Sequence, residues 1–496
     1  MKILSAEQTR LWDQFTIEHE PISSLALMER AALKCTEWII DQQLFEQPIK
    51  IFCGKGNNGG DGLAIARQLI ERDIHPEVYI LEFGNKGTDD FQANLASLHR
   101  ITTHIHFIQS EPVFPVISNN NLVIDALFGS GLNRPLDGLS AALIQHINNS
   151  RATIISIDVP GGMFIDHSSK GNTIIRATHT LTFQNLKLCL LAAENSEWFG
   201  NIHVLDIGLH PAFLPTVTTT RFLFTVMEAR SIFKRRDPFS NKGHHGHALI
   251  IGGAKGKAGA AIIAAESCVR SGAGLTTVYL LSGDGTAINT RIPEAMTIDK
   301  ITLEDDVSKY KAIAIGPGLG TDAAAHHLVS SLIKNYTGRL VLDADALNVL
   351  SQHKEWLGQL MPGTILTPHP KEFDRLFGEH SNEPGRWNTA LQVSKQYDII
   401  IVLKGHHTLI ASKGNAYFNT TGNAGLAKGG SGDSLTGIIT ALLAQQYDAA
   451  EAAKLGVFIH GLAADLAIEQ QSHESLMASD IAANLGKAFK MLTNVS

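Results

Sequence analysis

No run of 18 apolar residues occurs in this 496-residue chain, so its hydropathy offers no membrane-spanning helix. The first fourteen residues, MKILSAEQTRLWDQ, lack the apolar core of a secretory signal. Cysteine is scarce and scattered. Cys35, Cys53, Cys189 and Cys268 form no C-x-x-C pair, which argues against a disulfide framework or a zinc site and suits reduced thiols. Positive charge is also short, with 41 Lys and Arg against 48 Asp and Glu and a net charge of −7. A nucleic-acid partner held through its phosphates is therefore not expected. A Walker A loop is missing: the nearest stretch, GGAKGKAG at 252–259, has the wrong spacing and Ala258 where Ser or Thr is needed. Any nucleotide must be held by another scheme. These absences leave a soluble cytoplasmic enzyme with neither membrane nor nucleic acid as partner.

Glycine is plentiful, at 44 residues, and apolar residues make up 44 % of the chain. The length exceeds one ordinary core, so two domains are expected. In the first half, helical patterns at 7–20 and 23–40 precede strand patterns at 50–53, 77–81, 121–128, 152–159, 179–183 and 201–208. Residues 209–246 change character, with Pro, Thr and the basic FKRR at 233–236, which reads as a solvated linker. GHHGH nearby (His244, His245, His247) has no carboxylate or cysteine at ligand spacing, so no metal is expected there. A second alternation follows, with strands at 247–253, 275–281, 311–318, 339–345, 363–369 and 398–405. The alternation predicts two three-layer αβα domains, 1–220 and 225–496, with parallel or mostly parallel sheets.

IFCGKGNNGGDG at 51–62 matches G-x-G-x-x-G through Gly54, Gly56 and Gly59, and Glu82 stands where a ribose-binding acid would. Asn57, Asn58 and Asp61 make the loop more polar than a close pyrophosphate fit asks for. Two further loops leave strand ends nearby, DALFGSGLNRPLDG and DVPGGM, carrying Asp125 and Asp158. Each Asp is readable as a turn residue or as a site carboxylate. Three polar loops at one sheet edge favour a site.

GNNGGDG, DALFGSGLNRPLDG, SIDVPGG and THTLTFQNLK resemble the motifs of NAD(P)H-hydrate epimerases over residues 1–220. The resemblance implies a Rossmann-like fold that binds a hydrated nicotinamide dinucleotide rather than a working redox cofactor. It implies that Asn57, Asn58, Gly59, Gly60 and Asp61, with Gly129, Ser130, Gly131, Leu132, Asn133, Arg134 and Pro135, contact substrate. It further implies that Asn58, Asp125 and the position of Gly161 hold potassium, and that Asp158 and Lys187 exchange protons at the reacting carbon. Two positions depart from the family: Gly161 replaces the usual Ser, and Lys187 lies in LKLC, with Leu186 and Cys189, rather than Pro-Lys-x-Gly. Without the resemblance, Lys187 reads as a solvated lysine after a strand.

In the second half, GGSGD at 429–433 opens an apolar helix. Small residues let backbone amides face an anion at the positive helix end, where Asp433 could take a proton from a substrate hydroxyl. The alternative is a plain N-cap. Asp343 and Asp345 end a strand and could orient Mg²⁺ or the site loops, or could equally be caps.

GGAKGKAGAAIIAAESCVRSGAGL, IGPGLG, LDADALN, TPHPKEF, LKGHHT and NAGLAKGGSGD together resemble the NAD(P)H-hydrate dehydratases of the ribokinase-like superfamily. The resemblance implies that Ala260, Gly320, His369 and Asp433 meet the hydrate. Lys404, Gly405, His406, His407, Thr408 and Gly432 would meet ADP. Asp433 would be the base, with K⁺ and Mg²⁺ as cations and a homo-oligomer as the assembly. Lys371 stands where many relatives have Gly. Together the halves imply bifunctional repair, epimerising R- and S-hydrates and dehydrating the S form with ADP. The rival readings are a ribokinase-like kinase of a small alcohol and a first half that binds dinucleotides without catalysis.

Overall fold

Short apolar runs build the first sheet. The computed structural model describes residues 1–84, 86–283, 285–301 and 307–493. Among these, Ile49–Cys53 (β1), Glu77–Leu81 (β2), Ile105–Ile108 (β3), Leu122–Ala126 (β4), Thr153–Ile157 (β5), His179–Phe183 (β6) and Asn201–Leu205 (β7) pair in the order β3-β2-β1-β4-β5-β6-β7. Every pair is parallel. Alternation along the strands divides the core in two. Ile49, Ile51 and Cys53 of β1 and Leu122, Ile124 and Ala126 of β4 pack with helices Ser24–Asp41 and Asn57–Ile70. Phe52, Val123 and Leu127 pack on the other face with Leu143, Ile144 and Ile147 of Gly138–Asn149. Strand order reverses between β1 and β4, the point at which a parallel sheet opens a crevice beyond its carboxyl ends. The edge strand β3 was not anticipated, because its middle residues His106 and Phe107 are exposed and leave no apolar run.

The second sheet contains Arg221–Phe224 (β8), His247–Gly252 (β9), Leu275–Leu280 (β10), Met296–Ile298 (β11), Ala312–Ile315 (β12), Arg339–Leu342 (β13), Ile365–Leu366 (β14), Ile400–Leu403 (β15), Leu409–Ser412 (β16) and Asn415–Asn419 (β17). Their order is β11-β10-β9-β12-β13-β14-β15-β16-β17-β8. Ala248, Ile250, Ala312, Ala314 and Val341 bury against helices Ala258–Arg270, Ser431–Ala444 and Ala449–Ile468. The β15–β16 and β16–β17 pairs are antiparallel. The β16–β17 hairpin turns on Lys413 (φ 49°) and Gly414 (φ 78°), both left-handed as a two-residue type I′ turn demands.

Contacts divide the chain into two units, Lys2–Thr219 with Asn382–Pro384, and Thr220–Ser381 with Gly385–Ser496 and Met1. FKRR is an exposed irregular segment, as its sequence suggests, but its basic side chains are anchored. Lys234 donates to Gln446 O, Arg235 to Thr493 O and Arg236 to Gly272 O. These carbonyls lie at the carboxyl ends of Ser431–Ala444, Ala478–Thr493 and Ala258–Arg270, where a cation complements the helix dipole. All four cysteines are buried free thiols. No helix among the described residues is long and apolar enough to cross a membrane.

Two candidate active sites

A cavity of about 620 Å³ opens beyond the carboxyl ends of the first sheet. The β1 loop reaches it because Gly54 and Gly59 permit close backbone approach. A Cβ on Gly54 would lie 1.9 Å from Leu127 O, and one on Gly59 would lie 1.7 Å from Gly54 O. Gly56 has open space around its Cβ position and lines the cavity with Asn57, Asn58 and Asp61. Gly59 and Gly60 are buried behind them. Gly129, Ser130, Gly131 and Leu132 line the opposite rim, whereas Asn133, Arg134 and Pro135 are exposed and outside the lining. Glu82 is committed elsewhere: it accepts from Lys55 Nζ and from Gly84 N at 2.7 Å. A ribose-binding role for it is thereby displaced.

Asp158 follows β5 and Lys187 follows β6, and both reach the cavity. Lys187 is 1 % exposed, so it is not a solvated lysine. Its Nζ pairs with Asp158 Oδ1 at 2.8 Å and donates to Phe183 O at 2.7 Å. One of its three N–H bonds therefore stays available. Asp158 has φ 66°, a strained conformation for a residue with a Cβ, of the kind that clusters at working sites. The LKLC context forms a short 3₁₀ turn, Leu188–Leu191, that packs Leu188 and Cys189 inward.

Asp125 is fully buried below the cavity floor. Its Oδ2 accepts from Ser156 Oγ at 2.7 Å and Gly161 N at 2.8 Å, and Leu127 N approaches Oδ1 at 3.2 Å. Burial still raises its pKa to about 6 against these hydrogen bonds. Both polar atoms of the Asn58 side chain are buried without a partner among the described residues; a hard cation would take the oxygen, while the amide N–H groups need an acceptor. A Cβ on Gly161 would stand 3.0 Å from Asp125 Oδ1, but the Gly161 carbonyl already accepts from Ile175 N at 2.9 Å. Asn58 Oδ1 and the Asp125 carboxylate are oxygen donors of the kind a potassium ion takes, whereas the Gly161 carbonyl is already engaged.

Sequence reasoning missed Asp13. It lines the cavity from helix Ala6–His19 beside Thr9, Arg10 and Gln14. Burial and the Asp158 charge push its pKa up to about 7 against the pull of Lys187. Asp61 is pushed well up by burial, Asp158 and Asp13.

In the second unit, helix Ser431–Ala444 starts after Gly430 (φ 94°) with no side-chain cap. Asp433 therefore does not serve as its N-cap, and its carboxylate takes no hydrogen bond among the described residues. Burial and Asp343 raise its pKa to about 7, with Lys404 opposing. A Cβ on Gly432 would stand 3.4 Å from Lys404 Nζ, which puts the ammonium at the helix start. Asp343 holds this arrangement together: its Oδ1 accepts from Lys404 Nζ at 3.0 Å and Thr367 Oγ1 at 2.7 Å, and its Oδ2 from Thr436 Oγ1 at 2.7 Å. Burial alone would lower Lys404, but Asp343, Glu372 and Asp433 together hold it above its ordinary value.

Asp345 accepts from Gly320 N at 2.8 Å and pairs with Lys257 Nζ at 3.3 Å. Both aspartates orient loops rather than cap their helix. Ala260 meets Gly318, whose Cβ position is 3.2 Å from the Ala260 methyl. His369 caps helix Pro370–Phe377, its Nδ1 accepting from Lys371 N and Glu372 N at 3.1 and 3.3 Å. Burial and Lys404 lower its pKa, and its Nε2 lies 3.5 Å from Glu372 Oε1. Lys371 itself is exposed. Gly405, His406, His407 and Thr408 occupy the β15–β16 loop next to Lys404, with the two imidazoles 4.5 Å apart. His460, also missed, is buried and lowered to about 4 by burial; its Nε2 donates to Ser431 O at 3.0 Å, fixing the first helical residue. A lone histidine in an apolar helix gives no signal that separates it from a core residue.

Family models match both units. One described as YjeF-related protein N-terminus covers residues 24–189, and one described as NAD(P)H-hydrate dehydratase covers residues 248–487. The chain is 34 % identical to a protein of Coxiella burnetii named bifunctional NAD(P)H-hydrate repair enzyme, over 96 % of each chain. A Moorella thermoacetica protein of the same name is 33 % identical over 97 % of this chain and 95 % of its own length. Among solved structures, a Streptococcus mutans protein described as hypothetic aligns at 30 % identity and TM-score 0.50, covering 55 % of this chain and all of its own.

Proposed function

The chain belongs to the bifunctional NAD(P)H-hydrate repair enzymes, and from that membership we propose how its residues divide the repair. The first unit epimerises R- and S-NAD(P)H hydrate, and the second dehydrates the S form to NAD(P)H. The observation that carries the division is one acid–base centre in each unit, the buried Asp158–Lys187 in the first and the half-buried Asp433 and Lys404 in the second.

Epimerising a carbinolamine carbon requires its hydroxyl to leave from one face and water to return to the other, so protons must be both delivered and taken up. Asp158 and Lys187 exchange protons with the substrate at the rim of β5 and β6. The loop amides of 56–61 and 129–132 hold the dinucleotide. Asn58 and Asp125 would hold potassium, which supplies positive charge beneath the phosphate-facing loop.

In the second unit Asp433 takes the proton of the C6 hydroxyl, whose oxygen attacks the terminal phosphorus of ADP. The bond to AMP breaks with its electron pair staying on AMP. Lys404 and the amides at Gly432 stabilise the charge that develops on phosphate. Phosphate then leaves C6 in place of hydroxide, a C5 proton is lost, and the ring double bond returns. Mg²⁺ accompanying the nucleotide would supply positive charge that offsets the phosphates beside Lys404. Ala260, Gly320 and His369 line the hydrate side, and 404–408 the nucleotide side. The enzyme works in the cytoplasm as a homo-oligomer.

The test follows recovery of the reduced-nicotinamide absorbance from mixed R and S hydrates with ADP, Mg²⁺ and K⁺. Complete recovery is expected for the wild type, and recovery that stops at the S fraction for Asp158→Ala. A stable phosphorylated product without absorbance recovery would overturn the dehydratase and indicate a kinase.

A further inference from the structure

Helix Ala6–His19 forms one wall of the first cavity through Thr9, Arg10, Asp13, Gln14 and Ile17. These positions, spaced i, i+1, i+4, i+5 and i+8, share one helix face. Asp13 is the titratable carboxyl on that face, and it has no hydrogen bond among the described residues. The charged groups that face it are Asp158 and Lys187 from the sheet edge, Asp61 from helix Asn57–Ile70, Lys55 from the β1 loop, and Arg10 one turn earlier.

Inverting C6 needs proton exchange on two sides of the ring, because a hydroxyl returned to the face it left gives no epimer. The Asp158–Lys187 pair is one locus, drawn together at 2.8 Å. A second must come from elsewhere on the lining. Lys55 is tied to Glu82, and an arginine does not exchange its proton in this range. Asp61 belongs to the glycine loop and first turn of Asn57–Ile70, the stretch assigned to holding the dinucleotide. Asp13, raised to about 7, can both give and take a proton at neutral pH.

We propose that Asp13 is the second proton-exchanging residue of the epimerase, acting on the substrate oxygen from the helical wall while the Asp158–Lys187 pair acts from the sheet edge; this rests on the epimerase reading of the unit. In one direction the Asp13 carboxyl protonates the C6 hydroxyl. The C–O bond breaks, its electron pair leaves with water, and the lone pair on the ring nitrogen forms C=N. Water adds through an oxygen lone pair to the other face, the C=N π pair returns to nitrogen, and Asp158 takes the extra proton. Solvent returns that proton to Asp13. The reverse reaction exchanges the two roles, as an epimerase requires.

The experiment starts the full-length protein on purified R hydrate with K⁺ and without ADP, and separates the epimers over time. Asp13→Asn keeps the shape but cannot exchange a proton. Its kcat for epimerisation is expected to fall by about 10²–10⁴-fold, with KM within about threefold and S-hydrate dehydration by the same preparation unchanged. Asp13→Glu is expected to recover at least tenfold over Asn, and the limb near pH 7 in the wild-type kcat profile is expected to vanish in Asn. A fall below tenfold, or one carried by KM, overturns the proposal. If Asp13→Asn melts early, Asp13→Ser is read by the same criterion. A wild type that does not epimerise at all overturns the epimerase reading instead.

Discussion

Asp13 and Asp433 sit where burial and like charge outweigh a nearby lysine, while Asp125 is raised by burial against its hydrogen bonds. For Asp433 the consequence is a pH dependence with a defined sign. A base must be ionised, so dehydration should rise with pH through about 7 and level off above it. Asp433→Asn should remove both the activity and that limb, measured as kcat on S hydrate across pH. The same shift has an opposite effect on stability in the absence of ligands. Folded Asp433 binds its proton more tightly than the unfolded group at 3.8, so stability present in acid is lost as pH rises from about 4 through about 7. Denaturant titrations of Asp433→Asn should show a shallower decline over that window.

At the scale of elements, helix ends do much of the organising. The amino end of Ser431–Ala444 is left without a side-chain cap and faces Lys404, so its free amides are available to a phosphate. The carboxyl end of the same helix, and those of Ala258–Arg270 and Ala478–Thr493, are clasped by Lys234, Arg236 and Arg235. Each such contact contributes about 0.3–1 kcal/mol at low salt. Replacing all three by Ala should lower stability by roughly 1–3 kcal/mol, read as a drop in denaturation midpoint that shrinks as salt is added. Catalysis at low temperature should persist, because the clasp lies at the helix ends opposite Asp433. A triple variant with unchanged stability at low salt would show that these cations are merely solvated.

At the scale of the whole molecule, each unit has its own sheet, core and acid–base centre. Calorimetry should resolve two transitions rather than one. ADP with Mg²⁺ should raise only the transition of the second unit, by about 2.7 kcal/mol at a hundredfold excess over Kd. A single transition, raised as a whole by ADP, would show that the units unfold as one.

The glycine loop, the strand-ending aspartates and GGSGD were legible in the sequence because their spacing is local: a turn, a strand end and a helix start each span a few residues. Strand alternation revealed most of both sheets for the same reason, while β3 and the β16–β17 hairpin escaped, the first through its exposed middle residues. Lys413-Gly414 between two apolar runs was an available hairpin signal. Tertiary structure alone decided which long-range partners meet. It buried Lys187 against Asp158, turned Asp343 into the anchor of Lys404 and Thr436, diverted Glu82 to Lys55, and brought Asp13 from the first helix to a cavity edged by β1, β4, β5 and β6. Burial and charge proximity depend on packing across tens to hundreds of residues, and so does every raised carboxyl on which the chemistry rests.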